Sequence, residues 1–226
     1  MESRKIYFVI VAGGSGSRFG SDLPKQYCLL DGRPVLCHTI ERARKALPTA
    51  EIITVISESM REFWLELSAE YRCEPTKLVA GGASRWESVR NALASIDDDD
   101  PDAIVLIHDA ARPLLDRVTA EAITAAVEPE TSVVPVMPVS DSLRYINNEG
   151  VSIAVDRTKF RAVATPQAFR LADLKKAYRL PYDPSFTDDA SVMAAAGMPE
   201  TTLVEVTPAL SKITSPGDIA RLESLL

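Results

Sequence analysis

A seven-residue apolar run that leads directly into three glycines constrains this chain more than any other feature. The run extends from Ile6 to Ala12, is rich in β-branched and aromatic side chains, and is typical of a strand buried on both faces. Gly13, Gly14 and Gly16 follow, and glycine lets a backbone adopt positive φ or approach a ligand closely. The amides of such a turn can bind phosphate oxygens. The segment therefore predicts a buried strand that ends in an anion-binding turn.

Two cations follow the turn, Arg18 and Lys25, and both can neutralise phosphate charge. The turn is not a P-loop, because the sequence contains no Gly-Lys-Ser/Thr, and it is not a dinucleotide loop, because Phe19 stands where that motif needs its third glycine. The glycines alone fit a tight strand-to-helix turn beside solvated cations equally well. The cations and the adjoining Pro24-Lys25-Gln26 segment favour phosphate binding.

Composition excludes several classes of partner. A net charge of -7 over 226 residues argues against a nucleic-acid or anionic membrane surface, and no apolar run approaches the roughly 20 residues of a membrane helix. Three cysteines without a C-x-x-C pattern predict reduced thiols in a cytoplasmic protein, and two histidines are too few for a histidine-rich metal site.

Strand-like and helix-like segments alternate along most of the chain. We predict strands at 6–12, 51–56, 78–80, 103–107, 132–136 and 203–206, and helices at 34–48, 60–71, after 85, at 117–127 and from 216. This alternation predicts a single α/β domain over 1–226, with a Rossmann-like, mostly parallel twisted sheet and helices on both faces. Ligands are expected at the carboxyl ends of the strands.

Two further motifs follow predicted strands. A second Gly-Gly turn at Gly81 and Gly82 could read the edge of a base with backbone groups, although a plain tight turn has the same sequence. The strand at 103–107 leads into His108-Asp109-Ala110-Ala111-Arg112-Pro113. A lone carboxylate at the end of a central strand suits Mg²⁺, although Asp109 could instead cap the next turn.

The strand–helix pattern changes at residues 138–169. Two stretches of alternating apolar and polar residues flank Asn147-Asn148-Glu149-Gly150 there, which predicts a β-hairpin. A lone hairpin is marginally stable in water. This β-arm therefore needs a partner surface, and a second copy of the chain is the simplest candidate, which predicts a homodimer.

These motifs together resemble one known family. AGGSGSRFG followed by LPKQY is similar to the signature loop of nucleotidyltransferases that activate sugar or alditol phosphates. With HDAARP and the VDR at 155–157, the chain is identified as a member of the 2-C-methyl-D-erythritol 4-phosphate cytidylyltransferase family of the non-mevalonate isoprenoid pathway. The resemblance covers nearly the whole chain. It implies CMP transfer from CTP to the alditol phosphate, release of pyrophosphate, Mg²⁺ as cofactor, and a homodimer with exchanged arms.

Two other functions remain open at this point. A ribitol 5-phosphate or other alditol phosphate cytidylyltransferase has a similar loop and metal segment, and the VDR stretch favours the methylerythritol enzyme. A nucleotide-binding regulatory module that has lost turnover is the other alternative. The presence of every catalytic-type cation argues against it.

The resemblance also implies roles for individual residues. The implied catalytic residues are Arg18, Lys25 and Lys212, and the implied metal ligand is Asp109. The implied nucleotide contacts are Ala12, Gly13, Gly14, Ser15, Gly16, Gly81, Gly82, Ala83, Ser88 and Ala110. The implied substrate contacts are Arg112, Asp141, Ser142, Arg157, Thr165 and Thr187, the last of which could instead be an ordinary helix N-cap. Ala83 and Ser142 depart from the Asp and Thr that are usual in the family, and Ser142 keeps the hydroxyl.

Overall fold

The first strand, β1 (Ile6–Ala12), lies at the centre of the fold and has the predicted bounds. The structure, a computed structural model, describes residues 4–14, 23–74 and 76–226. Alternate side chains of β1 point to opposite faces of the sheet: Phe8 and Ile10 enter one apolar core, and Tyr7 and Val9 enter another. The strand is therefore buried on both faces, as its unbroken apolar sequence predicts.

Eight strands form the main sheet, in the order β10-β7-β11-β6-β1-β4-β5, with β12 also paired to β7. Their bounds are β4 (Glu51–Ile56), β5 (Lys77–Ala80), β6 (Ile104–Asp109), β7 (Ser132–Pro138), β10 (Arg161–Val163), β11 (Gln167–Arg170) and β12 (Thr201–Glu205). Two short pairs lie apart from it: β2 (Leu29–Leu30) with β3 (Arg33–Pro34), and β8 (Leu143–Ile146) with β9 (Ser152–Val155).

The sheet is mostly parallel, which confirms the predicted fold class. Strand β1 pairs in parallel with both neighbours, so that Val9 lies between Ile53 and Ile107, and β12 pairs in parallel with β7. Strands β10 and β11 run antiparallel to their neighbours. The sequence did not predict β11, because its four residues directly after Pro166 contain no apolar run of strand length.

Helices cover both faces of the sheet, also as predicted. The helices are α1 (Val35–Ala46), α2 (Arg61–Glu70), α3 (Arg85–Ala94), α4 (Arg117–Ala125), α5 (Leu171–Ala177), α6 (Asp189–Ala195) and α7 (Pro216–Glu223). Helices α1, α2 and α4 pack on the face of Phe8, and α3, α5 and α6 on the face of Val9. Among the described residues, no helix is both long enough and apolar enough to cross a membrane.

The hairpin of β8 and β9 projects an unusually apolar surface into solvent. Its turn is closed by the Asn147 side chain, which accepts hydrogen bonds from the backbone of Glu149 and Val151. Tyr145 and Ile153 face each other across the strands and are 55% and 46% exposed. Strand β10 and all but the last residue of β11 also fall within 138–169 but belong to the main sheet. The predicted arm is therefore wider than the separate hairpin, which spans 143–155.

We expect Leu36→Ala to lower the free energy of unfolding by about 2–5 kcal/mol, because it leaves a cavity in a close-packed core. Leu36 is fully buried in α1, whereas Leu65 in α2 is 49% exposed. The matched variant Leu65→Ala should therefore change stability far less. Urea unfolding of both variants checks this, and equal losses would contradict the assignment of the core.

Candidate active site

A cavity of about 640 Å³ opens at the carboxyl ends of β1, β5 and β6. Ten of the predicted site residues line it: Ala12, Gly13, Gly14, Lys25, Gly82, Ala83, Ser88, Asp109, Ala110 and Lys212. Six residues that were not predicted also line it: Val11, Gln26, Ser84, Arg85, Ala111 and Thr214. Ser15, Gly16 and Arg18 lie outside the described residues. The edge of the sheet that the topology assigns to ligands thus gathers half of the predicted site residues.

The first glycine turn is supported by the side chain of Gln26, which is buried, with 5% of its surface exposed. The Gln26 side-chain amide donates hydrogen bonds to the carbonyl oxygens of Ala12 and Gly14, at 2.7 and 3.0 Å. A trans peptide directs its C=O and N–H to opposite sides, so the bond to Ala12 turns the Gly13 amide away from Gln26. The Pro24-Lys25-Gln26 segment is thus the brace of the turn.

Gly13 lies where the two glycine turns approach each other closely. A Cβ placed on it would lie 3.2 Å from the Ser88 hydroxyl and 3.7 Å from the Cα of Gly81. Among the glycines that the structure describes, positive φ occurs at Gly32, Gly150 and Gly197, so the first turn does not use that freedom at Gly13 or Gly14. A Cβ on Gly14 would meet no described atom within 4 Å, which leaves room for a ligand beside this backbone.

The second turn uses its backbone amides internally. The Gly82 N–H donates to the Ser88 hydroxyl at 3.1 Å, and the Ala83 N–H donates to the Glu87 carboxylate at 2.6 Å. Ser84 caps the following helix by accepting the N–H of Glu87. Among the described residues, the carbonyls of Gly82 and Ala83 accept no hydrogen bond. The turn therefore keeps acceptors, rather than donors, available for a ligand.

Asp109, at the end of β6, is an ionised carboxylate surrounded by cations. Lys212 Nζ lies 3.0 Å and Arg112 Nε 3.2 Å from its Oδ2, and Arg85 Nε lies 3.5 Å from its Oδ1. Burial alone would raise the pKa of Asp109. The charges of Arg85, Lys212 and Arg112 outweigh burial and hold that pKa well below its ordinary range. The carboxylate is thus anionic at every physiological pH.

A buried hydrogen-bond chain fixes the backbone of Asp109. Its N–H donates to the hydroxyl of Thr165 at 2.9 Å, and that hydroxyl lies 3.0 Å from Nδ1 of His108. Nε2 of His108 lies 3.0 Å from the carbonyl of Arg112. Burial lowers the pKa of His108 to about 4, so the ring is neutral, with Nε2 donating and Nδ1 accepting. His108 is therefore a packed supporting residue.

The predicted substrate contacts lie outside the cavity of their own chain. Thr165 and Arg112 are buried behind Asp109, and Arg112 also donates to the carbonyl of Leu210 at 2.9 Å. Asp141, Ser142 and Arg157 are exposed beside the hairpin, and Thr187 is exposed before α6. The alternative that Thr187 is an N-cap is wrong, because Asp188 caps that helix.

The two predicted catalytic lysines come from distant parts of the chain and meet in the cavity. Lys25 Nζ donates to the carbonyl of Ile213 at 2.7 Å, beside Lys212. The Ile213 N–H donates to the carbonyl of Ala111, two residues after Asp109. The loop that carries Lys212 is therefore hydrogen-bonded to Lys25, in the segment that supports the first turn, and to Ala111, just after the end of β6.

Sequence reasoning missed Arg85, which lies between the second glycine turn and Asp109. A cation in the first turn of a helix is commonly a solvated residue, and its partner Asp189 is 104 positions away. The only available signal was its place directly after the Gly-Gly turn, at the end of Gly81-Gly82-Ala83-Ser84-Arg85.

Comparison with known proteins agrees with this geometry. Residues 6–226 match the family model described as IspD, 2-C-methyl-D-erythritol 4-phosphate cytidylyltransferase. The chain belongs to this family. A cytidylyltransferase of the same name from Bacteroides thetaiotaomicron is 40% identical over 219 residues, which cover 96% of this chain and 98% of the relative.

Two solved cytidylyltransferase structures of the family extend the agreement to the fold. The structure from Thermus thermophilus is 29% identical with a TM-score of 0.73, and the match covers 98% of each chain. The structure from Francisella tularensis is 26% identical with a TM-score of 0.78, and the match covers 98% of this chain and all of that one. A full-length likeness of this kind carries the family assignment across the hairpin as well as the sheet.

In a cytidylyltransferase whose second glycine turn contacts the base, the backbone N–H groups already hydrogen-bonded within that turn predict how cytosine is selected over uracil. Carbonyl acceptors suit the 4-amino group of cytosine and repel the 4-oxo group of uracil. Glu87→Ala frees the Ala83 N–H, which could then donate to uracil. We expect the kcat/KM for UTP, relative to that for CTP, to rise. The rise should correspond to no more than about 1–3 kcal/mol, the cost of one mispaired polar group.

The matched control is Glu87→Gln, whose amide oxygen can still accept the Ala83 N–H and should preserve selection for CTP. Pyrophosphate release with each nucleotide measures the ratio. An unchanged ratio in Glu87→Ala would mean that the occupied amides do not set base selection.

Proposed function

We propose that this chain transfers the cytidylyl group of CTP to 2-C-methyl-D-erythritol 4-phosphate, forming the CDP-alditol and pyrophosphate in non-mevalonate isoprenoid synthesis. The observation that carries the proposal is one cavity in which two glycine turns, the Asp109 carboxylate and two lysines converge. The family assignment supports the same reaction.

The reaction needs no general base. An oxygen of the substrate phosphate, already anionic at neutral pH, forms a bond to the α-phosphorus of CTP. The bond from that phosphorus to the bridging oxygen of the β-phosphate breaks, and its electron pair leaves with pyrophosphate. Since an anion must approach an anion, catalysis consists of positioning and charge neutralisation.

The residues of the cavity suit these two tasks. The braced turn at Gly13 and Gly14 holds the triphosphate, and the turn at Gly82 and Ala83 receives the base. Lys25 and Lys212 stabilise the charge that develops on the α-phosphate and on leaving pyrophosphate. Arg18, which lies outside the described residues, stays a prediction for the same role.

The proposed cofactor is Mg²⁺, and the residues fit one particular mode of binding it. Among the described residues, no group of three or more His, Cys, Asp or Glu side chains could hold a metal ion. Mg²⁺ commonly binds one or two carboxylates and completes its coordination with phosphate oxygens and water. Asp109 supplies one such carboxylate to the cavity, so the site suits an ion shared with the nucleotide. When bound, the ion supplies neutralisation of phosphate charge.

The test of the activity is pyrophosphate release from CTP with 2-C-methyl-D-erythritol 4-phosphate and, separately, with ribitol 5-phosphate. We expect the methylerythritol substrate to be used far more efficiently. Preference for ribitol 5-phosphate would favour the alternative enzyme, and no turnover with either would favour a regulatory module.

Lys25→Ala and Lys212→Ala should each lower kcat by about 10²–10³-fold, because each removes a charge directed at the transition state. The exposed Lys176, which lies in α5 and outside the cavity, offers the matched variant Lys176→Ala, with expected wild-type turnover. Thermal unfolding should show that all three fold. Full activity in either cavity variant would remove that lysine from the mechanism.

We further propose a homodimer in which each site is completed by the partner's arm. Two observations support this. The hairpin exposes large apolar side chains, among them Tyr145 and Ile153, and the predicted substrate contacts beside it, Ser142 and Arg157, lie away from the cavity of their own chain. An arm that crosses a two-fold axis would bury the apolar side chains of the hairpin against the partner and bring the predicted substrate contacts to the partner's cavity.

Mixed dimers of Lys25→Ala and Arg157→Ala test the shared site. If the arm crosses, one site of a mixed dimer carries both lesions and the other carries none. Random pairing makes half the dimers mixed, so co-refolding should restore about a quarter of wild-type activity. If each arm serves its own chain, every site keeps one lesion, and activity stays low despite demonstrated subunit mixing.

A further inference from the structure

Arg85 lies between two carboxylates and is shared unequally between them. Its guanidinium donates two hydrogen bonds to Asp189, from Nη2 at 2.7 Å and from Nη1 at 3.1 Å. Its Nε lies 3.5 Å from Oδ1 of Asp109, beyond the length of a good hydrogen bond. Asp189 therefore takes the bidentate pairing, which is the strong mode for arginine, and Asp109 keeps only a longer electrostatic contact.

Asp189 holds this position from behind the cavity. It is fully buried and does not line the cavity, and Tyr178 donates a 2.6 Å hydrogen bond to its Oδ1. Its backbone N–H donates to the side chain of Gln167 at 3.1 Å. A buried carboxylate needs a charged partner, and Arg85 is that partner. The location of Arg85 is thus fixed by residues that no substrate or nucleotide needs to touch.

The other two cations of Asp109 crowd its second oxygen. Lys212 and Arg112 both contact Oδ2, at 3.0 and 3.2 Å. Oδ1 faces Arg85 alone among these cations. If Arg85 moved from Asp189 to make its bidentate pair with Asp109, both oxygens of Asp109 would be occupied by protein cations. Asp189 is what opposes that movement.

We propose that Asp189 is a positioning residue for the reaction. By pairing with Arg85, which lines the nucleotide cavity, it keeps that cation from pairing with Asp109, so that the Asp109 carboxylate stays available to a divalent ion. The proposal rests on the proposed function, in which Asp109 binds that ion. It predicts that Asp189 affects metal affinity only through Arg85, so that its removal has no effect once Arg85 is absent; the direct charge of Asp189 would not produce this.

The test is Mn²⁺ binding to the nucleotide-free protein, measured by electron paramagnetic resonance of the free ion. Arg85→Gln should tighten binding by about tenfold, the order expected for removing one screened like charge near the site. Asp189→Asn should weaken it by a similar factor, because Arg85 then turns to Asp109. The double variant Arg85→Gln/Asp189→Asn should bind as tightly as Arg85→Gln, since Asp189 acts only through Arg85.

Two controls define the background. Arg90→Gln removes an exposed cation from the same helix, one that lies 4.7 Å from the ring of Trp86, and should leave Mn²⁺ binding unchanged. Asp109→Asn should abolish binding. Arg85→Gln leaves the buried charge of Asp189 without its partner, so both single variants are checked for a cooperative thermal transition. The double variant removes both charges, keeps the shape of the side chain at position 189, and remains decisive if a single variant does not fold.

The outcomes separate the inference from the function on which it rests. If Asp109→Asn binds Mn²⁺ like the wild type, the metal role of Asp109 is wrong and the inference falls with it. The same holds if neither the wild type nor Arg85→Gln binds the ion, whether alone or, beyond what CTP itself binds, with one equivalent of CTP present. If Asp109→Asn abolishes binding but Asp189→Asn does not weaken it, or the double variant does not tighten it, the positioning role alone is wrong. Opposite shifts in the two single variants, together with a double variant that binds Mn²⁺ as tightly as Arg85→Gln, would establish it.

Discussion

The buried charge of Asp109 is the interaction on which the whole site depends. A carboxylate at the end of a central strand would raise its pKa and lose its charge unless cations were brought to it. The chain brings three, from the start of α3, from the turn after β6 and from the loop before α7. Keeping one side chain ionised therefore fixes three separate segments around one cavity, and these segments include Lys212 and the start of the helix that follows the second glycine turn.

The same strand end is fixed a second time through its backbone. Thr165 accepts the N–H of Asp109 and links it to His108, which is neutral because burial lowers its pKa to about 4. Two residues after Thr165, Gln167 begins β11 and accepts the N–H of Asp189, the partner of Arg85. Backbone and side-chain contacts of Asp109 thus meet in one closed network. A shift of any member would displace the carboxylate, which explains why residues outside the cavity matter to it.

The fold and the cavity wall could be predicted from the sequence because their signals are local. An unbroken apolar run fixed β1 to the residue, and the glycine turns and Asp109 follow their strands directly. Arg85 could not be found this way, since its role depends on a carboxylate 104 positions away. The extent of the arm was overestimated for a related reason. Strand β10 alternates like the hairpin, and only pairing with β7 shows that it belongs to the main sheet.

The cations of the site also differ in how firmly they are held, and this difference bears on catalysis. Arg112 has a second partner in the carbonyl of Leu210, and Arg85 has Asp189, whereas Lys212 is 36% exposed at its side chain and contacts Asp109 from the cavity side. A triphosphate entering the cavity competes with Asp109 for Lys212 and not for the two anchored arginines. Transfer of that lysine to phosphate would leave Arg112 as the remaining cation on Oδ2 of Asp109, so nucleotide entry would partly release that carboxylate oxygen. The overall charge of -7 does not oppose this, because phosphate responds to the cations lining the cavity rather than to the distant acidic surface.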